Sequence, residues 1–201
     1  MHPNPAFEWS DEAEMLGFVA ERAFGHVFTA TAEGLFVVHA PLVVAGKKVQ
    51  FHVSRRNRIA EHLAGNPLLI SVSGRQAYQS PNWYASENQV GTWHYESVEI
   101  EGTARPLAEA ELVEFLDLLS ETMEARYSPQ RPWIRAKMER GKFDAMLQAI
   151  IGFELDPSEI RGTRKFNQQK SGDDLEATIN GQLSVGREDI VAAIRELTAN
   201  D

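Results

Sequence analysis

At 201 residues, 43% of them hydrophobic, the chain can bury a core of one domain, or one domain with appended helices, without covalent staples. It has no cysteine, which excludes structural disulfides, thiolate catalysis, iron–sulfur clusters and Cys-ligated zinc, and fits a reducing compartment. With 29 acids against 20 bases the net charge is −9, so the averaged field repels nucleic acid and anionic membranes, and direct nucleic-acid binding is doubtful.

The first residues, Met1-His2-Pro3-Asn4-Pro5, carry no basic segment followed by an apolar one, and no apolar run is long enough to span a bilayer. A soluble cytoplasmic protein without a membrane partner is expected. Ser10 suits an N-cap, and Asp11, Glu12 and Glu14 open a helix that buries Met15, Phe18 and Val19 and is closed by Gly25. His26 to Thr31 and Leu35 to Ala40 read as a hairpin across Ala32-Glu33-Gly34. After Ala45-Gly46-Lys47, alternating Val49, Phe51 and Val53 predict a half-buried strand. A short helix over Asn57 to Leu63 stops at Gly65-Asn66-Pro67, and Leu68 to Ser73 is an apolar strand.

Thr92 to Arg105 predicts a further strand. Trp93 and Tyr95 share one parity and Val98 and Ile100 the other, so a bulge near Glu96 is expected. Ala108 to Tyr127 repeats Leu112, Phe115, Leu116, Leu119 and Met123 at helical spacing. A helix over Lys142 to Ile151, a strand over Gly152 to Leu155, a polar surface segment from Arg161 to Gly181 and a helix over Arg187 to Leu197 complete the chain. Short strands with inserted and appended helices point to an α+β fold built on a small antiparallel barrel.

Two stretches carry candidate chemistry. In His52-Val53-Ser54-Arg55-Arg56-Asn57-Arg58 a strand delivers short donors and arginines to a helix start, a combination sized for one phosphate monoester; the same residues also suit a solvated, capped turn. The segment from Tyr78 to Tyr95 holds Tyr78, Trp83, Tyr84, Trp93 and Tyr95 interleaved with Gln79, Ser80, Asn82, Thr92 and His94. Flat rings among small polar groups suit a planar ligand with hydrogen-bonding edges, and they equally suit a barrel mouth or a dimer interface. A metal site is not expected: no two of the six histidines stand in ligand spacing, and His94-Tyr95-Glu96 lacks the cysteines of a deaminase site. His39 and His52 lie on adjacent predicted strands and suit hydrogen bonding to a ligand. With no G-x-S-x-G elbow, dinucleotide fingerprint or P-loop, redox chemistry would need a bound cofactor.

An ordered set of motifs resembles the PaiB family of FMN-binding negative transcriptional regulators, whose fold is a pyridoxamine-phosphate-oxidase-like split barrel. The motifs are His39-Ala40-Pro41, His52-Val53-Ser54-Arg55-Arg56-Asn57, Ala77-Tyr78-Gln79-Ser80-Pro81-Asn82-Trp83-Tyr84, Gly91-Thr92-Trp93-His94-Tyr95, Ile151-Gly152-Phe153-Glu154 and Lys165-Phe166-Asn167-Gln168-Gln169-Lys170. Where the family has Val-Pro-Thr-Trp-Asn-Tyr this chain has Val90-Gly91-Thr92-Trp93-His94-Tyr95, and Phe166-Asn167 stands for Leu-Ser. The resemblance implies FMN as cofactor, a homodimer with flavins at the subunit interface, and a regulatory flavoprotein or an FMN-dependent oxidoreductase of small molecules; a direct DNA-binding repressor is the less favoured reading. It implies that Ser54, Arg55 and Asn57 hold phosphate, that Gln79, Ser80, Thr92, Trp93 and His94 face ring or ribityl, that His39 and His52 are hydrogen-bonding neighbours, and that Lys165 and Gln168 complete a partner's site. It also implies that residues 1–160 form the FMN-binding barrel with helical insertions, while 161–201 form a polar segment and a helix packed on the same domain or the partner.

Overall fold

Alternation of buried and exposed side chains governs most strands of the computed structural model, which describes residues 2–199 apart from the Arg140 side chain. In chain order the elements are β1 (Glu8–Trp9), α1 (Glu12–Arg22), β2 (Phe24–Thr31), β3 (Gly34–Ala45), β4 (Lys48–Ser54), β5 (Pro67–Gln79), β6 (Thr92–Pro106), α2 (Glu109–Tyr127), α3 (Arg140–Leu147), β7 (Ile150–Lys165), α4 (Gly172–Ser184) and α5 (Glu188–Thr198). The strand order is β1-β7-β4-β3-β2-β5-β6, and β6 also pairs with β7, so six strands form a closed ring of hydrogen bonds. Closure removes the unpaired edges that an open sheet would expose.

The chain divides into two units. One comprises Met1–Asp11, Ser73–Val98 and Arg161–Asp201, and the other Glu12–Val72 and Glu99–Ile160. In the second unit β2 and β3 pair with Val27 opposite Val38, β3 and β4 with Leu42 opposite Phe51, and β4 and β7 with Phe51 opposite Phe153. Val49, Phe51 and Val53 point inward, and the Phe51 and Phe153 rings stack at 5.5 Å. Each such buried ring contributes roughly 1.5–3 kcal/mol relative to exposure. On the outer side, Leu112 and Phe115 of α2 pack with Val43, Leu107 and Leu147. Arg105 holds the start of α2 by forking onto Glu111 at 2.8 Å, while the Glu111 carboxylate also accepts the Ala108 N–H at 2.7 Å. These bonds pull the Glu111 carboxyl down to about 2.

In the first unit, Ala77 of β5, Phe166 after β7, and Ile190, Ala193 and Ile194 of α5 form the apolar core. Around them is a set of buried polar groups: Gln79, His94, Glu96, Asn167, Thr178 and Gln182.

Several boundaries differ from the sequence expectation. Gly25 does not close α1; Ala23 does, at φ 52, while Gly25 lies in β2 where an added Cβ would sit 2.9 Å from Leu42 and 3.0 Å from Val72. The helix expected over 57–63 is a run of turns with a single 3-10 turn at Ala60–His62. The helix expected over 142–151 is α3, which ends at Leu147, because residues from Ile150 pair with Ser54 and Val53 of β4 as the start of β7. The polar segment expected over 161–181 is the end of β7 followed by α4. Thr178 and Gln182 occupy the inner stripe of α4, so its helical period is carried by polar residues.

Candidate functional site

The residues singled out in sequence fall into both units. In the second unit, Ser54, Arg55 and Asn57 stand on the turn that follows β4. The side-chain oxygens of this turn are engaged by its own backbone: Ser54 Oγ accepts the Arg56 N–H at 3.3 Å, and Asn57 Oδ1 accepts the Ile59 N–H at 3.2 Å. Arg55 is anchored through its N–H to the Ala149 carbonyl at 2.9 Å and through Nε to the Gln148 carbonyl at 3.0 Å. Arg58 lies over the Phe36 ring at 4.8 Å, and among the described residues the exposed Arg56 guanidinium has no acceptor. What the turn leaves over is therefore almost wholly donor: the Ser54 hydroxyl proton, the Asn57 Nδ2 hydrogens, the Arg55 Nη groups and Arg56. Short donors with two unmatched cations fit a phosphate monoester. The expected helix dipole contributes nothing, since no helix begins here.

His52, one pleat before Ser54, lies against α2 with its ring 5.6 Å from Phe115, and burial lowers its pKa. His39 is exposed on the outward side of β3, packed edge-on against His26 at 4.5 Å. Exposed Phe24, Phe28, Leu35 and Val37 share that hairpin face.

In the first unit, strand parity sorts the aromatic segment into two sets. On β5 and β6, Tyr78 and Trp93 turn outward, 49% and 55% exposed, with rings 6.0 Å apart; Gln79 and His94, one residue along, are fully buried. Burial alternates along β6 from Trp93 to Ala104 without a break, so His94, Glu96, Val98 and Ile100 share the inner face. The bulge expected near Glu96 has no role, because it presumed that Trp93 and Tyr95 point inward. Outward rings remain available to a planar ligand, whereas the inner pair is already bonded: His94 Nε2 meets Gln79 Oε1 at 3.1 Å, and Gln182 Nε2 of α4 donates to the same oxygen at 3.2 Å.

Burial pushes His94 down to about 4; the Lys165 charge acts in the same direction and the Lys165 backbone opposes it. Nδ1 makes no hydrogen bond of good geometry. The unfolded chain binds this proton more tightly, so His94 favours the fold fully above about pH 6.5 and loses that contribution as pH falls toward 4. We expect acidification from near pH 7.5 to near pH 4.5 to cost wild type about 2–3 kcal/mol more than a His94→Asn variant, read from urea midpoints. Equal losses in the two proteins would contradict it.

Thr92 Oγ1 accepts from the Lys165 ammonium, whose pKa is lowered by burial. Ser80 caps the Pro81–Trp83 turn by accepting the Asn82 N–H at 3.2 Å. Gln168 is a brace: its Oε1 accepts the Phe166 N–H at 2.8 Å and its Nε2 donates to the Ala6 and Arg164 carbonyls. The structure thus brings Gln79 together with His94, Thr92 with Lys165, and Ser54 with Arg55 and Asn57. Sequence reading missed Gln182, the Asn167 Nδ2 donation to the Tyr84 hydroxyl at 2.9 Å, and the packing of Trp83 on Gly181. Gly181 and Gln182 lie on α4, most of which falls in the segment read as a loop, with Gln182 just beyond its end.

Gly91 finds its reason in Tyr78, whose hydroxyl lies 2.2 Å from where a Cβ on residue 91 would stand. Because the clashing atoms are the tip of a half-exposed ring that can turn away, proline at 91 should cost at most about 1 kcal/mol, and Tyr78→Val should restore most of that loss, a coupling that a thermal double-mutant cycle measures. Simple additivity of the two changes would refute it.

A family model described as "Putative FMN-binding domain" matches residues 1–159. The Bacillus subtilis (strain 168) protein called "Protease synthase and sporulation protein PAI 2" is 28% identical over 179 residues, covering 84% of this chain and 82% of that one. Among solved structures, the FAD and heme binding protein from Mycobacterium smegmatis aligns with a TM-score of 0.61 at 16% identity, over 87% of this chain and 79% of that one. The flavocytochrome Anf3 from Azotobacter vinelandii aligns at 0.62 with 17% identity, over 88% and 77%. The α+β split-barrel fold expected from the motifs is the fold observed.

Proposed function

The chain belongs to the FMN-binding domain family, and from that premise we propose that it is a cytoplasmic, homodimeric PaiB-type flavoprotein with a regulatory role. FMN is its cofactor. The observation that carries the site assignment is the turn from Ser54 to Arg58, whose remaining hydrogen-bonding capacity is donor and cationic. In this reading Ser54, Asn57, Arg55 and Arg56 hold the phosphate. Taken by itself, the first unit holds Tyr78 and Trp93 as exposed rings, with Ser80 and Thr92 as small polar neighbours, while Gln79 and His94 fix the strands that carry those rings. Bound FMN would supply one- and two-electron redox at its ring. Among the described residues no helix is long and apolar enough to cross a membrane.

The regulatory role is supported by the PaiB resemblance and by the name of the Bacillus subtilis relative. An acidic chain of net charge −9 favours regulation through a ligand or another protein over direct contact with DNA. The homodimer is supported by the exposed Phe24, Phe28, Leu35 and Val37 on one hairpin face, and Phe28→Asp with Val37→Asp should give a monomer by light scattering.

The direct test is a visible spectrum of the purified protein followed by titration with FMN. Saturable binding at or below tens of micromolar is expected, and no flavin band with no binding in that range would sink the proposal. A flavin-dependent oxidoreductase is the second reading, favoured by the flavocytochrome among the structural relatives. It requires turnover of NADH or NADPH by the FMN-loaded protein, and silence across donors counts against it.

A further inference from the structure

The second unit contains a cavity of about 280 Å³ that the FMN assignment does not use. Its walls come from β4 (His52), α2 (Leu116), the connection after α2 (Trp133, Met138) and α3 (Phe143, Met146). The connection is fastened in place: the Trp133 N–H donates to Glu124 at 2.7 Å, and Arg135 forks onto Asp117 at 2.9 and 2.8 Å. The walls are therefore formed before any ligand arrives, which lowers the ordering cost of binding.

Three titratable groups line the cavity. Arg135 and Asp117 neutralise one another, and burial holds His52 below its usual pKa, so it is uncharged near neutrality. No unmatched charge is left for an ionic ligand. One polar deficit remains: among the described residues neither ring nitrogen of His52 is hydrogen-bonded, and Nδ1 is fully buried. A volume just under the ~300–1,000 Å³ of drug-sized pockets admits one or two fused rings, and Trp133, Phe143 and two methionines offer rings and adaptable thioethers to pack on them.

We propose that this cavity binds a small neutral aromatic molecule bearing one hydroxyl or N–H group, with the ring between Trp133 and Phe143 and the polar group on His52. The site is separate from the phosphate turn and does not depend on the flavin assignment.

The test compares p-cresol with toluene on the full-length protein by ligand-observed NMR and calorimetry. Saturable p-cresol binding below millimolar is expected. His52→Phe should weaken p-cresol about tenfold, the loss of one hydrogen bond, and leave toluene within about twofold. Met146→Trp fills the cavity from an exposed wall position and should abolish binding of both, with far-UV dichroism unchanged. Three results would overturn the proposal: no saturation by either probe at millimolar concentration, binding that survives Met146→Trp, or equal loss of both probes in His52→Phe. A dimer that Met146→Trp dissociates and p-cresol does not would also overturn it, since a side chain of a second copy would then be the occupant.

Discussion

Replacing Arg55 and Arg56 together by alanine is expected to weaken FMN binding by roughly two to four orders of magnitude, because each charge-assisted contact to phosphate is worth about 1.5–3 kcal/mol. Affinity for riboflavin, which lacks the phosphate, should stay within about threefold. The basis is the donor inventory of the turn: Ser54 Oγ and Asn57 Oδ1 already accept backbone N–H groups, so the unmatched groups are the Ser54 proton, the Asn57 amide hydrogens and the two guanidiniums. Both arginines are exposed, and the Arg55 Nε bond to Gln148 lies at the surface, so the fold should survive with little loss. Calorimetry with the two ligands separates the outcomes. Parallel losses for FMN and riboflavin would mean that the arginines act on the fold or on the ring, and the phosphate assignment would fall.

Glu96→Ala is expected to be the most destabilising single change in the first unit. Glu96 is 4% exposed and accepts three hydrogen bonds from Arg75: N–H at 3.1 Å, Nε at 2.9 Å and Nη2 at 3.1 Å. The Arg75 guanidinium is also held by Glu196 at 3.3 Å and lies 5.7 Å from the Phe166 ring centroid; burial acts to lower its pKa, but the bonds and charges of Glu96 and Glu196 outweigh burial and raise it. Removing the buried carboxylate leaves the Arg75 N–H without its side-chain acceptor and the partly buried guanidinium with only the exposed Glu196 and the Asp189 carbonyl, at a cost of about 2–4 kcal/mol. For a protein of this size that corresponds to a fall in Tm on the order of 10 °C. Arg75→Met with Glu96→Leu should recover part of the loss, because well-packed apolar residues replace the pair, but not all of it, because the Arg75 N–H still lacks a partner. A double variant less stable than Glu96→Ala would contradict this account of the pair.

The fold was legible where burial is apolar and alternates. Val49, Phe51 and Val53 on β4, and the stripe of Leu112 and Phe115 on α2, announce their periods directly. It was illegible where inward positions are polar. β5 continues beyond Ser73 to Gln79 through half-buried Arg75, satisfied by Glu96, and buried Gln79, satisfied by Gln182 and His94; none of these partners is near in sequence. α4 hides for the same reason, with Thr178 and Gln182 on its inner side. The motif residues of the candidate site were named from sequence, but their division into outward and buried side chains could not be. Trp93 and His94 look equivalent as ligand contacts until strand parity sends one outward and the other into the core. That parity was obscured because Val98 and Ile100 share the face of His94 and Glu96, two residues that would ordinarily be assigned to solvent.

A structure of the FMN complex tests the site most directly. The phosphate should lie within hydrogen-bonding distance of the Ser54 hydroxyl, Asn57 Nδ2 and at least one of the Arg55 and Arg56 guanidiniums. A phosphate seated elsewhere, with the turn from Ser54 to Arg58 facing only solvent, would contradict the assignment.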